Sequence, residues 1–176
     1  MFIPTLIAAV FGTTTTGAAT TTTLNPSTLK VTVIAAQNNH STLECWALSP
    51  GFTPSTQPGT ACDPVLFLGI ATGNISYMMI PPHTDGGGHN APTVQWVTFL
   101  SGLAHITLPH SDDEVWIPGG KYGTILVVDT GDVSAEGHFT EYPSDEATVA
   151  LALPVDDVPG HVVLHKGACV EGELDY

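Results

Sequence analysis

Short apolar runs follow one another along this chain, and Gly, Pro, Asn or Asp clusters separate them. Many of the runs are rich in Val, Ile, Thr or aromatic residues, the composition that suits a pleated, half-buried strand. The pattern predicts strands over Val31–Ala36, Leu43–Leu48, Val65–Ile70, Ile75–Ile80, Thr93–Leu100 and Leu103–Leu108. It predicts more over Glu114–Ile117, Thr124–Asp129, His138–Tyr142, Thr148–Leu153 and His161–His165. Helical periodicity is almost absent, and only Ser144-Asp145-Glu146 offers the start of a helical turn. So many short strands in one domain imply an all-β sandwich or barrel. The Pro-rich stretch from Ser49 to Pro64 cannot be an inner strand, so it crosses the surface or covers a barrel end.

The most informative stretch runs from His83 to Leu108. A Gly-rich turn holding His83 and His89 leads into an apolar strand, which turns at Ser101-Gly102 and returns, so a β-hairpin is expected. A period of two puts Gln95, Val97 and Phe99 on one face and Val94, Trp96, Thr98 and Leu100 on the other. Gln95 is thus an amide on an apolar face, where it needs a partner. Trp96 faces away from it and is expected to pack between sheets. His105, mid-strand, reads as a hydrogen-bonded structural histidine or as a further pocket wall. Asp129 either closes the turn at Thr130-Gly131 or orients His138, and the turn is the preferred reading. Lys121 and Tyr122 are expected to face solvent.

The charge narrows the partners. Three lysines, no arginine and 17 acidic residues give a formal net charge of -14. A surface of that sign repels phosphate backbones and anionic membranes, so no nucleic acid is expected as a partner. The apolar run Phe2 to Phe11 followed by Gly17-Ala18-Ala19 reads as a secretory signal peptide over residues 1–19, too short for a membrane span. A Thr-rich linker follows over 20–30, and residues 31–176 form the folded domain. Sequons at Asn39 and Asn74 fit a secreted glycoprotein. In an oxidising compartment Cys45, Cys62 and Cys169 give one disulfide and one cysteine left over. Cys45 with Cys169 is the preferred pairing, because it ties down a free end, and Cys45 with Cys62 is the alternative. There is no Gly-x-Ser-x-Gly, and the run Gly86-Gly87-Gly88 lacks the Lys-Ser/Thr of a phosphate loop.

Several anchors fall in order: His89, Ala91-Pro92, Gln95-Trp96, Leu100-Ser101-Gly102, Pro118-Gly119, Asp129-Thr130 and Gly137-His138. Together they resemble small single-domain cupins, in particular small secreted cupin-like proteins of fungi. Gln95 stands where the first cupin motif carries a metal-binding Glu, and Ala91 where the second His of its H-x-H would be. The resemblance implies a single cupin jelly roll of antiparallel strands, and a homodimer that covers its edges. It also implies a site made of His89, Gln95 and His138, with His83, Asp85 and His105 as further pocket residues. That site would hold a divalent transition metal (Fe, Mn, Ni, Cu or Zn), or would line a pocket without one. Three functions stay open: a metal-dependent oxidoreductase or oxygenase on a small organic molecule, a metal-free isomerase, epimerase or cyclase, and a non-catalytic protein that binds a sugar or other small molecule.

Overall fold

The structure, a computed structural model, describes residues 28–174. The expected signal segment, and the Thr-rich linker up to residue 27, lie outside the described residues. In chain order the elements are β1 (Lys30–Gln37), β2 (His40–Leu48), β3 (Thr53–Pro54), β4 (Pro64–Val65), β5 (Ser76–Ile80), β6 (Thr84–His89) and β7 (Gln95–Ser101). They continue with β8 (Leu103–Leu108), β9 (Ser111–Pro118), β10 (Thr124–Val127), β11 (His138–Tyr142), β12 (Thr148–Pro154), β13 (His161–Lys166) and one helical turn, α1 (Glu171–Leu174). The protein is all-β.

A seven-stranded sheet, in the order β13-β2-β1-β10-β7-β12-β5, packs against a four-stranded sheet in the order β6-β11-β8-β9. The result is a jelly-roll-like sandwich. Neighbouring strands are antiparallel except β1 and β10, which run parallel with Thr32 opposite Ile125. Asn38 and Asn39 both have positive φ between β1 and β2, as a tight hairpin turn demands.

The expected hairpin at Ser101-Gly102 does not form. β7 belongs to the large sheet and β8 to the small one, so the chain changes sheets at this point. Gly102 makes the corner with φ 77°, and a Cβ there would collide with Thr148. The Leu103 amide donates to Thr148 Oγ1 at 3.2 Å, which holds the corner against β12. The expected strand over Val65–Ile70 ends at Val65. Its apolar residues serve as a cover: Leu66 and Leu68 pack on the outer face of the large sheet, while Phe67 and Ile70 are exposed. Ser144-Asp145-Glu146 forms no helix, and the one helical turn lies at the other end, in α1.

Two apolar clusters result. Val97, Phe99, Ile106, Ile117, Ile125 and Val127 belong to the one between the sheets. Trp96, Trp46, Val31, Val33 and Leu126 form the other, on the outer face of the large sheet. Trp96 therefore packs beneath the 66–68 segment and not between the sheets, with its indole N–H donating to the Leu68 carbonyl at 2.7 Å. A buried carboxylate, Glu44, is satisfied there by Trp46 Nε1 at 2.6 Å and Gln37 Nε2 at 2.7 Å.

Cys45 and Cys169 form a disulfide, and Cys62 is free and exposed. The bond ties the segment before α1 to β2, and the Cys169 amide donates to the buried Thr32 hydroxyl at 3.0 Å. Closing a loop of this length stabilises by roughly 2 to 5 kcal/mol.

Candidate functional site

His89, Gln95 and His138 line one cavity of about 310 Å³ between the two sheets. The strand pattern puts them there. β6 and β11 pair antiparallel with His89 directly opposite His138, and the two ring centroids lie 4.6 Å apart. This approach requires a glycine before His138: Gly137 has φ 68°, and a Cβ on it would run into the His89 carbonyl. Gln95 opens β7, paired with Val127 on one side and Pro154 on the other, and shares its inward face with Val97 and Phe99. Ala91, which is buried, lines the same cavity.

The three differ in depth. His89 is exposed at the mouth, Gln95 is half-buried and His138 is buried. His138 Nδ1 lies 2.7 Å from Asp129 Oδ2, and Asp129 has no exposed surface at all. Because a carboxylate only accepts, Nδ1 carries a proton, and in the neutral imidazole Nε2 is then the nitrogen with the lone pair. The Ser41 hydroxyl donates to the same Asp129 oxygen at 2.6 Å and meets Ser134 Oγ at 2.8 Å. Asn90 Nδ2 donates to the carbonyls of Asp129 at 3.0 Å and Ser134 at 2.9 Å, which fixes the loop behind the histidine. Asp129 Oδ1 is buried without a partner. Asp129 thus orients His138, contrary to the preferred reading of it as a turn residue. His89 Nδ1 meets the Gly87 carbonyl at 3.1 Å, so its Nε2 is likewise left for other contacts.

The remaining wall is mostly apolar, with Ile34, Met78, Phe99, Ile106 and Val127 among its residues. Tyr142 adds a phenol whose pKa is pushed up by burial, so it stays neutral and able to donate. Thr140 and Tyr142, both on β11, are cavity residues that sequence reasoning did not single out. The alternation from His138 carried the signal, since His138, Thr140 and Tyr142 share a strand face.

The further pocket candidates lie elsewhere. His83 pairs with Asp145 at 3.1 Å on the surface, and Asp85 accepts from the Gly87 amide at 2.8 Å. Both line a separate surface depression with Glu141. His105 sits on the outer face of the small sheet, stacked on Trp116 and held by Glu114 at 2.8 Å. The sequon residues Asn39 and Asn74 are both exposed.

A divalent metal in the cavity would draw on two imidazoles and one neutral amide. The nearest carboxylate in the network, Asp129, is bound behind His138 and not beside it. Among the described residues, no third His, Cys, Asp or Glu joins His89 and His138 within ligating reach. The one such trio is Cys45, Cys169 and Glu173, and its two sulfurs are spent in the disulfide. The donor set therefore falls one charged ligand short of the open two-histidine, one-carboxylate set.

Together the features define an all-β sandwich with a small, mainly apolar internal cavity and a His–Asp pair at its polar end. No family model, curated protein or solved structure matched the chain. No helix among the described residues is long and apolar enough to cross a membrane.

Proposed function

We propose that this chain is a secreted single-domain cupin that binds a small, largely apolar organic molecule between its sheets and moves a proton on it with His138. The observation that carries the reading is the buried Asp129–His138 pair at 2.7 Å on the wall of a 310 Å³ cavity. A histidine held by a buried carboxylate, with its other nitrogen unprotonated, is equipped for general base chemistry. His138 Nε2 takes a proton from an acidic C–H of the ligand, and the imidazolium formed is stabilised by Asp129. His89 and Gln95 steady the oxygen on which negative charge develops. The imidazolium exchanges its proton with solvent and returns one either at a second carbon, an isomerisation, or on the other face of the same carbon, an epimerisation, with no net redox change. Secretion is supported by the disulfide. Glycan at Asn39 or Asn74 belongs to the same reading.

Deuterium incorporation from D2O into a panel of small carbonyl compounds tests the proposal. Wild-type protein should catalyse exchange, and His138→Gln should not. Binding of the same compounds with no exchange would favour the non-catalytic reading. Stoichiometric metal in protein purified without chelator, and lost on His89→Ala, would favour the metal-dependent one.

A further inference from the structure

A second cavity lies on the other side of Ile125, the single residue common to its lining and that of the first. Its volume is about 460 Å³. Small-molecule sites span roughly 300 to 1,000 Å³, whereas well-packed cores leave few voids larger than a water molecule. Leu103, Val115, Ile117 and Pro118 supply an aliphatic wall and Tyr122 an aromatic one, while Trp116, half of it exposed, borders the cavity from the outer face of the small sheet. Tyr122 is half-buried in this wall and does not simply face solvent as expected.

The Tyr122 ring and the bordering Trp116 are each fixed by other groups. The Trp116 indole stacks on His105 with centroids 3.9 Å apart and planes 11° from parallel, and His105 is itself held by Glu114. Lys121 Nζ donates to the Tyr122 hydroxyl at 2.9 Å and lies 4.6 Å from its ring centre. Rings held this way present preformed surface at little entropic cost. The hydroxyls of the lining are already engaged: Thr32 accepts from Cys169, and Thr124 pairs with Thr98 at 3.1 Å. Glu171 in the lining, in a chain of net charge -14, disfavours an anion. The remaining wall comes from the C-terminal segment, where Cys169 and Leu174 close the cavity. That segment is pinned to β2 by the disulfide and to β13 by the Glu173–His165 contact at 3.0 Å.

We propose that this second cavity binds a neutral, predominantly apolar small molecule carrying a planar ring, and that the Cys45–Cys169 disulfide holds its wall in place. The inference is independent of the proton-transfer reading of the first cavity.

The test is a titration of the oxidised full chain with N-phenyl-1-naphthylamine, a neutral aromatic probe. One saturable site is expected, with energy transfer that falls in Trp116→Phe. Val115→Trp and Leu174→Trp, which fill the cavity from opposite walls, should each weaken binding about tenfold or more. Ser76→Trp, on β5 in the wall of the first cavity, fills that cavity instead and should leave binding unchanged. Reduction of the disulfide, or Cys169→Ser, should weaken binding by about fivefold or more while circular dichroism shows the sheets retained. Should Val115→Trp fail to fold, Leu174→Trp on the terminal helical turn decides the matter. No saturable binding by the folded oxidised protein would overturn the site, as would binding lost in Ser76→Trp and kept in Leu174→Trp. Equal affinity before and after reduction would overturn the role of the disulfide.

Discussion

Two histidine–carboxylate pairs in this molecule have nearly the same geometry and opposite surroundings. His138 meets Asp129 at 2.7 Å inside the sandwich, and His105 meets Glu114 at 2.8 Å on the outer face of the small sheet. Asp129 has no exposed surface, whereas half of the Glu114 side chain is open to water. Water screens the outer pair and can replace either partner, so its contribution is small. Inside, the pair is held by a buried network of Ser41, Ser134 and Asn90, and the other ring nitrogen belongs to a residue of the cavity wall. Distance alone does not separate the two pairs; burial and the side of the sheet do.

The sharpest break between the two pairs is in activity. If His138 is the proton-transfer group, His138→Gln should lower deuterium exchange by about 10²- to 10⁴-fold, the usual contribution of a positioned acid–base group. His105→Gln should change it less than about twofold, because its ring points away from the cavity. Equal losses in the two variants would erase the distinction.

Stability separates them next. Asp129→Ala strands His138 and Ser41 in the interior and should cost roughly 2 to 5 kcal/mol in chemical denaturation. Glu114→Ala should cost less than about 1 kcal/mol. A cost for Asp129→Ala as small as that for Glu114→Ala would mean that water reaches the inner pair.

How far this contrast can be read in the sequence depends on what each residue's signal was. The inward row Gln95, Val97, Phe99 followed from the period of two, and the structure keeps all three on the cavity side. The β6 strand was missed because half of its residues, Thr84 to His89, are glycines and show no side-chain alternation. The change of sheet at Gly102 was mistaken for a hairpin, since a Ser-Gly step serves both turns, and only its contact with Thr148, distant in sequence, separates them. Leu66 and Leu68 are apolar because they cover Trp96, a role that looks like a strand from composition alone. Asp129 is nine residues from His138 in the chain, and only the fold shows that it bonds the ring and does not merely close its own turn.

The smallest expected effect concerns a third pair, His165 with Glu173, which lies at the surface and clasps the terminal segment. His165 is raised above its ordinary value, chiefly by the Lys166 carbonyl and then by Glu173. Its contribution is fully present below the ordinary histidine value and is lost as pH rises through the raised one. Glu173 is lowered, chiefly by the Val170 amide and then by His165, so its contribution is lost as pH falls through that lowered value. Hydrogen-exchange protection at the Glu173 amide should therefore be greatest between the two values and decline modestly on either side. A flat profile at Glu173 would remove the clasp.

The most direct test of the central claim is the nitrogen-15 spectrum of the His138 ring at neutral pH. The account predicts a proton on Nδ1, shared with Asp129, and an unprotonated Nε2, while Asp129→Asn shifts the ring toward the other tautomer and lowers exchange activity with it. A spectrum with the proton on Nε2 in the wild-type protein, unchanged by Asp129→Asn, would contradict it.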